Sequence, residues 1–235
     1  HAFPKTPEQL ARPDLVPAGT RTINIIDVSR LLLDDDLDPP LKALFIYNHN
    51  PVIVHPQQNR MKQALARDDV FIAGIEVAMT DSMAYADVIL PACTHFEHAD
   101  LYPAYGHQYL QRADAVIAPV GESLPNTEIF RRLAARFGFD DPAFTASDAE
   151  LMDAALDRSD PRMQGIRPSQ IPTDRALRME YGGAEPVLFQ NVLPQTPSGR
   201  IELESAALGA RYGAALPTFR PVVSDYPLAL ITPAS

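Results

Sequence analysis

Tryptophan is absent from these 235 residues, cysteine occurs once, and 20 Lys and Arg are outnumbered by 30 Asp and Glu. Each shortage excludes something. A lone cysteine, Cys93, cannot form an internal disulfide, a thiolate zinc site or an iron–sulfur cluster held by this chain alone. A formal charge of −10 argues against nucleic acids and anionic membrane surfaces as partners, since both need a basic face. The longest apolar runs, such as Val88-Ile89-Leu90-Pro91-Ala92-Cys93, are far too short to span a bilayer. No glycine-rich dinucleotide fingerprint follows any of them. The chain opens on His1 with no signal-peptide pattern and stops just after an apolar run, so it reads as a fragment.

What is present is a foldable composition, 46% hydrophobic, with 23 prolines, about twice average usage. Residues 1–39 read as an extended, proline-punctuated connector with a short strand or turn and a short helix within 23–33. The pattern changes over residues 40–145. Ala43–Tyr47, Val70–Ile75, Val88–Leu90 and Ala115–Ala118 are short runs apolar on both faces, as in strands buried between helical layers. Between them the spacing predicts a helix over Asn59–Arg67. A second is predicted from Asn126 or Thr127 to Gly138, carrying the stripe Ile129, Phe130, Leu133, Ala134 and Phe137. Alternating strands and helices imply an open, mostly parallel α/β sheet with helices on both faces. Residues 146–221 read as a helical and irregular linker, opened by the capping box Ser147-Asp148-Ala149-Glu150 and including a half-exposed strand at Arg200–Glu204. A new strand starts within 222–235.

Ligands of open parallel sheets sit beyond the C-terminal strand ends, so the residues there carry the functional reading. Asn48, His49 and Asn50 after the first strand serve either a tight turn or nucleotide contact. Glu76 after the second is a ribose acceptor or a solvated carboxylate. His95, Glu97, His98 and Asp100 invite a metal-dependent hydrolase, although their spacing matches neither the zinc-protease nor the deaminase signature. A free-standing nucleotide-binding module is the other alternative to an enzyme fragment. Cys93, beside His95, lacks an oxyanion-hole signature, and Tyr102, Tyr105, His107 and Tyr109 read as packing.

In order, Tyr47-Asn48-His49-Asn50-Pro51, Glu76, the run Met79 to Ala92 containing T-D-x-x-x-x-A-D-V-I-L-P-A, Glu97 and Pro119-Val120-Gly121-Glu122 resemble the molybdopterin oxidoreductase superfamily. This group contains dimethyl sulfoxide reductase, formate dehydrogenase and periplasmic nitrate reductase. Thr196–Glu202 and Tyr226–Thr232 resemble that family's passage into its C-terminal β-barrel. The resemblance implies a Rossmann-like half of a dinucleotide-binding domain and a molybdenum bis(molybdopterin guanine dinucleotide) cofactor. It places cofactor contacts on Asn48, His49, Asn50, Ile75, Glu76, Thr80, Asp81, His98, Asn126, Thr232 and Ser235. His98 stands where several relatives carry lysine, and Asn126 where aspartate is frequent. The molybdenum ligand and any iron–sulfur cluster would lie in an N-terminal half of the same polypeptide, which is a partner the resemblance implies alongside an electron-transfer subunit. The fragment alone is expected to be inactive. Substrate and compartment, cytoplasm or periplasm, stay open.

Overall fold

The computed structural model describes residues 13–103, 107–156, 165–180, 196, 198–219, 221, 223 and 225–228. The connector carries two 3-10 turns, Pro13–Leu15 and Ile25–Asp27; at the second, Asn24 Oδ1 accepts the Ile26 N–H. It continues into helix α1, Val28–Leu32, so no strand forms in this segment. Strand β1, Ala43–Tyr47, is followed by two helices, α2 at Pro51–Val54 and α3 at Gln58–Leu65. Strands β2, Phe71–Glu76, and β3, Val88–Pro91, complete a parallel sheet of order β1-β2-β3. Tyr47 pairs with Ile75, and Glu76 with Pro91, so all strands end together. A parallel bridge between Ala92 and Leu124 continues that edge past β3.

Alternate strand residues feed two cores, as the two-residue period requires. On one face Ile46 and Ile72 meet Met61, Ala64 and Leu65 of α3, Leu32 of α1, Val52 and Met83. On the other, Ile75 and Leu90 meet Ile129, Phe130 and Leu133 of helix α4, Asn126–Phe137. The Phe130 ring stands edge-on to Tyr47, 5.1 Å between centroids. Helix α4 closes on Gly138 in the left-handed region, φ 73°.

The fourth apolar run is not a strand. Val116 is 74% exposed, and the amides of Val116 and Ile117 both donate to the Phe96 carbonyl in a turn. The place beside β3 is taken by Leu124 instead. The intervening chain forms a second, antiparallel sheet. It comprises strand β4 (Asp100–Pro103), strand β5 (Tyr109–Ala113) and strand β6 (Leu177–Arg178). The expectation of one mostly parallel sheet is therefore corrected to two sheets, only the first parallel. Between β5 and β6 runs helix α5, Asp148–Ala155, opened by the expected capping box: Ser147 and Glu150 bond each other reciprocally.

Residues to Glu180 make one compact unit and residues from Tyr181 a second. The second contains helix α6, Ala206–Tyr212. The alternating Arg200–Glu204 segment is not a strand; Ile201 and Leu203 are 56% and 79% exposed. The later strand expected from Tyr226 extends outside the described residues, as do Thr232 and Ser235.

Gly74, in the middle of β2, is demanded by packing. A Cβ there would lie 2.3 Å from Met83 Sδ and 2.6 Å from its Cε. Met83 is 1% exposed and has little room to yield. Gly74→Ala is expected to cost about 1–3 kcal/mol by overpacking, and Met83→Ala about 2–5 kcal/mol by leaving a cavity. Urea unfolding of both single variants and the double variant should show the double costing clearly less than the sum; strict additivity would mean that the two groups do not meet.

Candidate functional site

Nine of the expected contact residues are described, most of them at or just beyond the shared strand ends. Asn48 leaves β1 in the left-handed region, φ 51°, a conformation asparagine tolerates better than most residues. The Asn50 carbonyl accepts the Ile53 and Val54 amides, starting α2. Its side chain turns across the edge: Asn50 Oδ1 accepts the Ser82 hydroxyl at 2.6 Å, and Ser82 Oγ accepts the Val52 N–H at 3.0 Å. Ser82 is completely buried, so this link ties the β1 loop to the turn after β2. Thr80 Oγ1 accepts the Met83 N–H and holds that turn, leaving Asp81 exposed between them.

Glu76 does not extend freely; Oε1 accepts the adjacent Val77 N–H at 2.8 Å. Ile75 is 3% exposed and its side chain belongs to the core, so only its backbone faces the edge. Asn126 reaches the same edge because Leu124 runs parallel to β3 and Pro125 then turns the chain into α4. His98 approaches α4 from the loop after β3. It donates Nδ1–H to the Thr94 carbonyl at 2.8 Å, and its Nε2 lies 3.7 Å from Asp100 Oδ2.

Two buried side-chain atoms among the described residues have no hydrogen-bond partner: Asn126 Oδ1 and His55 Nδ1. Most buried polar groups are paired, so each orphan is a valence that a water or a ligand can complete. His55 was not foreseen from sequence, nor were Ser82 and Ser123. The first two sit within or beside the recognised segments, but nothing in the residue order says that their side chains turn inward.

The loop after β3 is organised by Glu97, 5% exposed. Oε2 accepts both the Thr94 N–H and the Thr94 hydroxyl at 2.7 Å, while Oε1 accepts the Val120 N–H at 2.6 Å and the Ser123 hydroxyl at 3.2 Å. The Thr94 hydroxyl first, then the Thr94 and Val120 amides, pull its pKa down to about 2. The Ser123 hydroxyl, with one proton, is shared between this carboxylate and the Val120 carbonyl at 2.8 Å. His95 lies against the Phe96 ring, 4.1 Å between centroids, and His98 is committed to Thr94. Among the described residues no three His, Cys, Asp or Glu are grouped to hold a metal ion. The hydrolase alternative built on His95, Glu97, His98 and Asp100 therefore loses its ligand cluster.

Glu97 also sets a pH dependence. Its folded pKa of about 2 lies below the ordinary 4.5, so its contribution to stability is complete above pH 4.5 and lost as pH falls toward 2. Glu97→Gln should lower the urea midpoint at neutral pH and flatten the acid limb between those values. An unchanged acid limb would show that other carboxylates govern it.

Residues 32–136 match the family model of the molybdopterin oxidoreductases. Over 218 residues, 92% of this chain, there is 40% identity to "Probable oxidoreductase YoaE" of Bacillus subtilis (strain 168), of which the chain spans 31%. A trimethylamine-N-oxide reductase of Vibrio vulnificus (strain YJ016) is 33% identical over 102 residues, 43% of this chain and 12% of the relative. Among solved structures, acetylene hydratase from Pelobacter acetylenicus superposes with a TM-score of 0.62 at 22% identity, covering 86% of this chain and 27% of that one, which establishes likeness of fold. The chain thus spans about a third or less of the relatives it matches. With that family's domain across both halves of the parallel sheet and relatives that are oxidoreductases, this chain belongs to the molybdopterin oxidoreductase family.

Proposed function

We propose that the strand-end edge of the parallel sheet holds the nucleotide end of a molybdopterin guanine dinucleotide arm, within a longer molybdenum oxidoreductase. The observation that carries this reading is Asn126 Oδ1, a buried acceptor without a donor, at the start of a twelve-residue helix. Guanine presents N1–H and N2–H donors on one edge, and an amide oxygen accepts from them. Around it stand the other groups a nucleotide needs. Thr80 and Asp81 lie in the turn tied to Asn50, Glu76 suits ribose hydroxyls, and backbone amides at the strand ends suit pyrophosphate. His49 and His98 supply imidazole nitrogens.

The residues present therefore fit the group that the family implies. Molybdenum held by two such arms supplies two-electron chemistry when bound. Oxygen-atom transfer is favoured over dehydrogenation because relatives are trimethylamine-N-oxide reductases. This chain's part is to anchor and orient. On the same reading residues 40–145 form the nucleotide-binding half, 146–221 link it onward, and Thr232 and Ser235 begin a barrel that touches the second arm. The molybdenum ligand, an iron–sulfur cluster where one exists, and the electron-transfer contact belong to the rest of the polypeptide.

GDP, which carries the guanosine and pyrophosphate of the arm, is the direct probe. By calorimetry it should bind the 235-residue chain more tightly than ADP. Asn126→Leu should cost about 1–2 kcal/mol of that affinity, and Asn126→Asp, which offers two acceptor oxygens, should retain or improve it. Equal affinity for GDP and ADP, or no response to Asn126→Leu, would overturn the reading.

A further inference from the structure

The His49–His55 pair differs from the other contacts at this edge in being imidazole on imidazole. The two Nε2 atoms are 2.6 Å apart and the ring centroids 4.8 Å apart. One proton fits between them, so one ring donates and the other accepts. His55 is 8% exposed, and its Nδ1 is the second buried orphan. Burial first, and the neighbouring His49 ring second, lower its pKa, so it stays neutral with a single proton. Were that proton on Nδ1, a buried N–H would be left unmatched. On Nε2 it leaves only a lone pair unmatched, and orphaned buried donors are the rarer case. The proton therefore sits on Nε2 and is given to His49 Nε2. A neutral His49 that accepts at Nε2 carries its own proton on Nδ1.

We propose that His55 is a positioning residue that locks His49 in the Nδ1–H form, so that His49 meets a ligand as a donor. The ligand atom it suits is an acceptor oxygen, here a phosphate oxygen of the nucleotide arm; that clause rests on the function proposed above, whereas the tautomer does not. A partner on one ring nitrogen fixing the role of the other is the logic by which histidines are oriented around metals, applied here to an anion. It gives a chain of formal charge −10 a fixed donor at the strand end.

Nitrogen-15 NMR of the histidine-labelled 235-residue chain reads the tautomer directly at about pH 8, where ordinary histidines are neutral. The expected result is His49 protonated on Nδ1 and bare on Nε2. His55→Gln, whose amide N–H replaces the Nε2 donor, should keep that pattern and keep GDP affinity. His55→Phe should move the His49 proton to Nε2, the form a free side chain favours, and weaken GDP binding about tenfold. A wild-type His49 carrying its proton on Nε2 overturns the proposal. So does an unchanged His49 tautomer in a His55→Phe chain whose amide spectrum is native. If His55→Phe fails to fold, the wild-type and His55→Gln tautomers decide. A wild-type chain with no affinity for GDP would count against the nucleotide reading, and the nitrogen shifts would still judge the tautomer.

Discussion

The approach of Met83 to Gly74 is the contact on which the strand-end edge depends. With no side chain on the central strand at that point, the thioether lies against the sheet and the turn after β2 folds back close to it. The turn is then near enough for Ser82 to be buried and to bond Asn50 and Val52. A bulkier residue at position 74 would press on the Met83 thioether that fills this space. The loop carrying Asn50 and the turn carrying Ser82 meet beside a glycine that leaves room for the Met83 sulfur.

Polar groups at this edge are used in two opposite ways. Glu97 is closely engaged: the Thr94 amide and hydroxyl, the Val120 amide and a shared Ser123 hydroxyl surround its two oxygens, its pKa is held down to about 2, and it stiffens the loop between Thr94 and Ser123. Asn126 and His55 are the reverse, each with one buried atom unmatched. Saturated networks rigidify, whereas orphans cost stability unless something completes them. The function proposed for this edge would use both, a fixed loop frame and a few open valences aimed from it.

Much of the parallel half was legible in the residue order. Three of the four apolar runs became strands, the stripe from Ile129 to Phe137 became a helix closed by Gly138, and Ser147 with Glu150 became a capping box. These are local signals, read from periodicity and cap chemistry. Ala115–Ala118 failed for a non-local reason: an apolar run becomes a strand only with a neighbour to pair, and Leu124 occupies that place. The antiparallel sheet was missed likewise. Its third strand is two residues, Leu177 and Arg178, brought back from more than sixty positions beyond β5 by pairing that no local pattern announces.

The sequence by itself determined the family, the strand ends at which function would sit, and the amide, carboxylate and imidazole groups available there, because these follow from residue identity and short-range order. Only the tertiary structure decided which of those groups are free. Glu97 and Asn126 look equally ready for a ligand on paper. Folding surrounds the first with donors from Thr94, Val120 and Ser123 and leaves the second buried without one, since satisfaction of a hydrogen bond depends on what distant segments bring within about 3 Å.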